Sequence, residues 1–419
     1  MKKHSRSGAI FVAVAALCVA AWWILLEIVP HEAREERAAS PPATAAAVAV
    51  AAREAHDAWN TYHGNAALTG AASSHLADRL RPAWRFMAGA DVRNTPVACD
   101  DRVFFTNEDG VVFAVDLDGH QVWAQRIQAG VAEDGTPRQS VIDAPLACFG
   151  GALYVADADG MVIALDAATG NERWQHDIGA PVLGSPNWGP ASKDAEYAAL
   201  YIIAQDDGAL HCLDAATGEA KWSAEGPSRC DGSPGVGAER VVFGSCDAAL
   251  HVFSAATGQL ERTIELGEDG QVASGVAIHD GAAISGCRSG KVVGVNLRSG
   301  EIAWSSQLTD YEIFTTPAVT STWIVVGAQN GLVYGLDRAA GVQQWTFDTA
   351  GATPLSAAIA DDKVVVSADG TLYLLALENG RRLWSQEVAD LITSPAIVGR
   401  LVVVGCEDGT VAAFDGREP

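Results

Sequence analysis

His211 in "LHCLD" and His251 in "LHVFS" hold the same place in two neighbouring copies of a recurring phrase, a placement that could present two imidazoles to one metal ion. The equivalent positions in other copies are Phe113, Ile163, Val293, Tyr334, Tyr373 and Ala412, so the slot reads as a packing position that tolerates histidine. "NEDG" (107–110) and "DADG" (157–160) look like fragments of calcium loops, but the remaining oxygen ligands are missing at loop spacing. "GCRSGK" (286–291) lacks both the gap and the hydroxyl residue of a phosphate loop. No HExxH, GxSxG or dinucleotide-type glycine signature occurs. Paired carboxylates are too frequent in so acidic a chain to mark glycosidase chemistry. Of the 8 cysteines none forms a CxxC or an adjacent pair, which argues against metal clusters. Cys99, Cys148, Cys212, Cys246, Cys287 and Cys406 fall in or beside expected strands, and Cys230 in "SRCDGSPG" alone reads as exposed. Disulfides are open to an exported chain, and spacing does not pair them.

The elements that would position such residues come from a repeat. Gly-x-x-x-Trp recurs as Gly119/Trp123, Gly170/Trp174, Gly218/Trp222, Gly300/Trp304, Gly341/Trp345 and Gly380/Trp384, with Gly258/Arg262 as a variant copy. The anchors are 39 to 51 residues apart, the period of a propeller or solenoid. Each unit reads as four short strands, for example "PLACFG", "ALYVAD", "MVIALD" and "ERWQHDI", separated by "GG", "DADG" and "DAATG". Four strands in about forty residues make one propeller blade, a shape that removes exposed sheet edges by radial closure. Eight inner three-strand segments are found, and the last, ending near Asp415, lacks its outer strand. "RPAWRFMAG" (81–89), with Trp84, is an orphan outer strand that completes it. The expectation is therefore an all-β, eight-bladed propeller over residues 56–416, clasped by its own N-terminal strand.

In "LDAATGNERW" the turn needs an acceptor for backbone N–H groups, supplied by Asp166, and a positive φ, supplied by Gly170. Trp174 is large enough to cover the seam between blades. Trp84, Trp123, Gly218, Trp222, Trp304, Trp345 and Trp384 are assigned the same structural duty.

The 28 basic and 52 acidic residues give a net charge of −24, which repels nucleic acid and anionic lipid. Residues 1–7 carry Lys2, Lys3 and Arg6, and Gly8 to Leu26 follow without a charge. At about 1.5 Å per helical residue this run approaches a bilayer's hydrocarbon thickness. Residues 8–29 are read as a single-pass anchor, or else a signal segment, behind a cytoplasmic stub (1–7). The Ala/Pro-rich stretch 30–55 is read as a linker, and the basic flank places the rest outside the cytoplasm.

The phrase "AxDxxTGxxxW" resembles the pyrroloquinoline-quinone-type (PQQ-like) β-propeller repeat family over roughly residues 59–416. Within that family one branch comprises quinoprotein dehydrogenases, which hold quinone and calcium in the central funnel. Their adjacent-cysteine ring and metal-binding set have no counterpart in this sequence. "WNTYHGNAALTG" (59–70) resembles the lead-in of the second branch, the BamB-like outer-membrane protein assembly factors, which are non-enzymatic. BamB itself is a lipoprotein, whereas this chain begins with an anchor-like segment.

The resemblance implies a non-enzymatic, extracytoplasmic protein-interaction scaffold without catalytic, cofactor or metal residues, whose partners are envelope proteins such as the β-barrel assembly machinery. The alternative is a quinone-binding oxidoreductase or ligand-sensing propeller. Long or aromatic connections are the candidate partner loops: "IQAGVAEDGTPRQSVID" with Arg138, "NWGPASKDAEYAA" with Trp188, and "LTDYEIFTT" with Tyr311 and Phe314. The ends of the second strands, Asn107, Asp157, Gln205, Cys246, Cys287 and Cys406, should ring one mouth of the channel.

Overall fold

The computed structural model describes residues 58–131, 137–192 and 197–417. The stub, anchor and linker expected over 1–55 lie outside these residues. Among the described residues there is no helix long and apolar enough to cross a membrane.

Among the described residues the chain forms eight blades of four antiparallel strands, seven of them meanders from an inner to an outer strand, one of which gains a short fifth strand, Ala71–Ala72, in parallel. Blade 1 is Val97–Cys99, Arg102–Thr106, Val111–Asp116 and Gln121–Arg126. In blade 2 the strands Ala147–Phe149, Ala152–Ala156, Met161–Asp166 and Glu172–Asp177 lie within the four runs read from the alternation of apolar residues. The second and third strands are buried almost throughout, whereas outer strands alternate exposed and half-buried residues, as befits sheets stacked face to face. Blade 8 joins Ala396–Val398, Leu401–Gly405 and Thr410–Asp415 to the N-terminal strand Arg81–Met87, with Arg81 opposite Asp415 and Met87 opposite Thr410. This one pairing closes the circumference.

Six outer-strand tryptophans, Trp84, Trp123, Trp174, Trp222, Trp304 and Trp345, reach the third-to-fourth-strand turn of the next blade. The indole N–H of Trp84 donates to Leu117 O (2.9 Å), that of Trp123 to Ala167 O (3.0 Å), that of Trp174 to Ala215 O (3.1 Å) and that of Trp345 to Leu377 O (2.8 Å). The ring lies flat on the turn's glycine: a Cβ on Gly170, at φ +73°, would sit 2.7 Å from Trp123. Trp222 packs on Gly258 in the same way, but its Nε1 is buried without a hydrogen-bond partner, and the Ala255 carbonyl accepts from the Tyr201 hydroxyl at 3.0 Å. Trp304 packs on Gly341, and Trp384 meets Phe414 edge-on at 5.8 Å. Arg262 fills the variant seam, lying against Gly300 and donating to Arg298 O at 3.1 Å. Within the turn, Asp166 Oδ1 accepts from the N–H groups of Ala168 (3.1 Å) and Thr169 (2.9 Å), and Oδ2 accepts from Arg173 (2.8 Å). Burial acts to raise its pKa, but these bonds, Arg173 foremost, leave the carboxyl below its ordinary value.

Candidate functional site

The meander sorts the connections onto two faces. Turns between first and second and between third and fourth strands share one face, tied by bonds such as Ala167 N–H to Gly151 O (3.1 Å). Turns between second and third strands meet the blade-to-blade connections on the other, as in Ile178 N–H to Gly160 O (3.0 Å). The second face is the mouth.

The axis of the ring is occupied at the turn end by the lead-in. Trp59 exchanges two backbone bonds with Ala98 of blade 1, and Asn60 O accepts from Cys148 of blade 2. Ala66 O accepts from Val236 of blade 4, Ala67 O from Ile278 of blade 5, Thr69 O from Val319 of blade 6 and Gly70 O from Ile359 of blade 7. The Asn187 amide of blade 3 also donates to Ala66 O at 2.7 Å. Ala71–Ala72 then pairs in parallel with Ala358–Ala360, and Ala77 N–H reaches Gly416 O in blade 8. The inner strands of six blades therefore present backbone groups to one segment, which satisfies groups that a bare channel would leave to water. Trp59, Thr61, His63 and Leu68 are all essentially inaccessible.

Above this plug the residues two or three positions before the inner strands are Thr95, Ala144, Ser185, Ser233, Ser274, Thr316, Ser356 and Ser394, seven hydroxyls and one alanine. They stitch neighbouring blades: Ser233 Oγ accepts from Ser185 N–H (2.8 Å), Thr316 Oγ1 from Gly275 N–H (2.9 Å) and Ser356 Oγ from Thr316 N–H (3.0 Å). The Tyr62 hydroxyl rises from the plug to meet Thr316 Oγ1, and burial pushes its pKa up to about 12. Beside it His63 is driven down to about 4 by burial, a neutral imidazole whose Nε2 lies 3.2 Å from the Pro317 carbonyl. That bond assigns the proton to Nε2.

The mouth carries the exposed apolar residues Val141, Tyr311 and Leu391, which are 53, 59 and 42 % accessible, among many carboxylates. Two of its arginines are held by those carboxylates. Arg93 joins blades 8 and 1 by pairing with Asp91 (3.1 Å), Glu108 and Glu407 (3.6 Å). Arg288 lies 4.7 Å over the Phe314 ring, within 3.6 Å of Glu312 and 3.8 Å of Asp231. A cleft of about 330 Å³ opens where blades 7, 8 and 1 meet, lined by Val92, Leu355, Leu391, Thr393, Asp369 and Glu407 among others.

The sequence-selected residues distribute unevenly. Tyr311 and Phe314 share the connection from blade 5 to blade 6 on the mouth. Arg138 lies in Pro137–Gln139, which pairs with Gln128–Val131 as a two-stranded ribbon between blades 1 and 2. Trp188, expected in an inserted loop, is instead part of the inner strand Asn187–Pro190 and stacks on Phe149 at 4.7 Å, half-buried; the interruption follows it. Cys230, expected to be exposed, is 2 % accessible, because its loop folds inward to bond Gln205 O and its thiol faces Gly244 O at 3.1 Å. Burial pushes that thiol up to about 12. The rim register also shifts by one at Gln205 and Cys246: Ala204 closes its turn onto Ala209, and Ser245 closes its own onto Ala249, with Ala248 taking the positive φ of the usual glycine. Cys99 and Cys148 form a disulfide that links the inner strands of blades 1 and 2, a pairing the spacing had left open.

None of these groups assembles a reactive centre. His251 is buried against Ser245 Oγ (2.7 Å) and Asp247 (3.2 Å), both on the same Nε2, an arrangement that braces a turn and leaves the carboxylate unable to orient a base from behind. His211 lies half-buried and is lowered by burial. Among the described residues the candidate metal group is His75, Asp361 and Asp362, exposed on the turn face, where Asp362 already pairs with Lys363 at 2.7 Å.

Comparison with known proteins agrees with this architecture. Outer membrane protein assembly factor BamB of Salmonella typhimurium is 24 % identical over 331 residues, covering 76 % of this chain and 83 % of that protein. The BamB of Bordetella pertussis is 28 % identical over 207 residues, 44 % of this chain, and there the chain spans only about half (52 %) of the relative's length. Among solved structures, BamB from Moraxella catarrhalis superposes with a TM-score of 0.65 at 17 % identity, over 80 % of this chain and 100 % of that one. A quinohemoprotein alcohol dehydrogenase from Comamonas testosteroni superposes with a TM-score of 0.69 at 14 % identity, over 89 % of this chain and 84 % of that one, a likeness of fold alone. A family model described as outer membrane protein assembly factor BamB matches residues 69–187, 183–315 and 312–418, nearly the whole propeller, and the chain belongs to that family.

Proposed function

We propose that the protein is a non-enzymatic scaffold of the cell envelope whose mouth face binds other envelope proteins in outer-membrane protein assembly. The observation that carries this reading is the mouth itself, where accessible Tyr311, Val141 and Leu391 stand among carboxylates on the face that the lead-in leaves open. The expectation that residues 8–29 tether the domain to the cytoplasmic membrane, with the propeller in the periplasm, belongs to the same proposal.

The quinone alternative draws on the likeness of fold to the dehydrogenases. The residues above the plug speak against it: calcium calls for carboxylate oxygens, and the ring there offers seven neutral hydroxyls and Ala144. Below the ring the axis is filled by Tyr62 and His63.

A photocrosslinking side chain placed at Tyr311 in living cells tests the proposal. A covalent adduct with a protein of the β-barrel assembly machinery is the expected result. Stoichiometric uptake of pyrroloquinoline quinone with calcium by the purified protein, accompanied by dye reduction, would replace the scaffold reading with an oxidoreductase.

A further inference from the structure

We propose that the cleft between blades 7, 8 and 1 is a docking site for an extended peptide segment carrying an aliphatic side chain next to a lysine or arginine. The inference deepens the scaffold reading by naming what the mouth accepts, and it rests on that reading only for its biological setting.

Three features of the cleft point to this occupant. Its floor and one wall are apolar: Val92 is inaccessible, Ile392 is 5 % accessible, and Leu391, 42 % accessible, stands at the lip. A volume of about 330 Å³ is at the lower end for ligand sites and suits one or two side chains, not a large cofactor. The lip is also anionic. The lining itself holds Asp369 and Glu407 against Arg93, and Asp91 and Glu108, just outside it, also pair with Arg93, so that cation is held by three carboxylates and the five groups together sum to −3. An anion is repelled there, and a cation beside an apolar group gains from both surfaces. Finally, the walls are extended backbone. Pro354 bridges to Ala368 and Ile392 to Cys406, so the strands of blades 7 and 8 continue upward past the hydroxyl ring. Thr353, exposed beside them, offers its hydroxyl to a peptide's amides, whereas that of Thr393 is held by Ser394 O (3.1 Å) and Gly405 N–H (2.9 Å). The opposite end of the channel is filled by the lead-in, so the occupant approaches from the mouth only.

The test uses the full-length protein in detergent and fluorescein-labelled Ser-Lys-Leu-Lys-Val-Ser, followed by fluorescence anisotropy at low salt. The Lys/Leu peptide is expected to bind, and versions with Glu for Lys or Ser for Leu and Val to bind at least about tenfold more weakly. Asp369→Asn and Leu391→Ser, both at exposed positions, should each weaken binding about fivefold while leaving the urea unfolding midpoint unchanged. Asp207→Asn, on the same face but in blade 3, should leave it unaltered. No binding, equal binding of all three peptides, or equal loss in the Asp207 variant overturns the proposal. So does displacement by spermidine at the peptide's own concentration, which would mean that the cleft recognises charge alone. Because these readouts are purely in vitro, failure to crosslink an assembly protein at Tyr311 leaves them intact, and their failure leaves that crosslink intact.

Discussion

Lowering the pH should loosen this propeller from its axis, through His63. Its imidazole is fully enclosed, faces the Tyr62 ring at 5.7 Å and contacts the Pro317 carbonyl, and burial holds its pKa at about 4 against 6.5 for a free histidine. The unfolded chain therefore takes up the proton first as the pH falls. Stability from this residue is complete above about pH 6.5, declines below it, and is exhausted near pH 4. Between pH 7 and pH 5 the two pKa values give a loss of about 2 kcal/mol. Urea unfolding of the full-length protein, followed by tryptophan fluorescence at pH 7, 6 and 5, measures it directly. His63→Phe fills the same space but leaves the Pro317 carbonyl unpaired, so it should be less stable at pH 7, by about 1–3 kcal/mol, yet lose about 2 kcal/mol less on acidification. His211, also lowered by burial, contributes the same slope to both proteins and cancels in the difference. Parallel pH profiles for wild type and variant would refute the argument that a buried neutral histidine locks the plug.

Removing residues 395–419 deletes three strands of blade 8 and strands Arg81–Met87 without a partner, so the truncated chain should show no cooperative unfolding transition by circular dichroism. Replacing both Cys99 and Cys148 by Ala opens a cross-link of sequence separation 49 and should cost about 2–4 kcal/mol in urea, and dithiothreitol should shift the wild-type midpoint toward the double variant's without moving the latter. Arg262→Trp restores at the blade 4–5 seam the aromatic cover found elsewhere and should gain about 1 kcal/mol, read as a higher urea midpoint; a lower midpoint would mean that this seam is shaped for the guanidinium.

What the sequence disclosed was what local chemistry writes. Hairpin turns, alternating strands and the glycine under each tryptophan are set by residues within a few positions of one another, so "ERWQHDI" overlays Glu172–Asp177 and the orphan "RPAWRFMAG" contains the closing strand. Features built from distant residues were not legible. Tyr62 meets Thr316 across 254 positions, and nothing in "WNTYHGNAALTG" taken alone shows that its backbone will bond blade after blade. The mouth cleft likewise assembles Val92 with Leu355 and Leu391. Cys230 looked exposed because a Gly/Pro/Ser-rich loop usually is; here the loop turns into the seam and bonds Gln205. Trp188 looked like a loop residue because the following insertion broke the pattern that would have marked its strand.

The ring is closed twice, and the two closures divide the labour of its faces. Arg81–Met87 pairing with Thr410–Asp415 shuts the circumference, and the segment just before it in sequence shuts the axis at the turn face. The recurring phrase with its docking tryptophan also belongs to the turn face, where each copy is constrained by the next blade. At the mouth the recurring backbone bonds tie the connections without fixing their length: they range from the tight Val388–Thr393 passage, whose N–H groups bond Gly370, Asp369 and Gly405, to the ribbon of Gln128–Val131 and Pro137–Gln139. Variation in length, aromatic content and charge is therefore free to accumulate on the one face that the chain itself leaves open. The same folding solution that makes the repeat visible in the sequence places recognition where the repeat is silent.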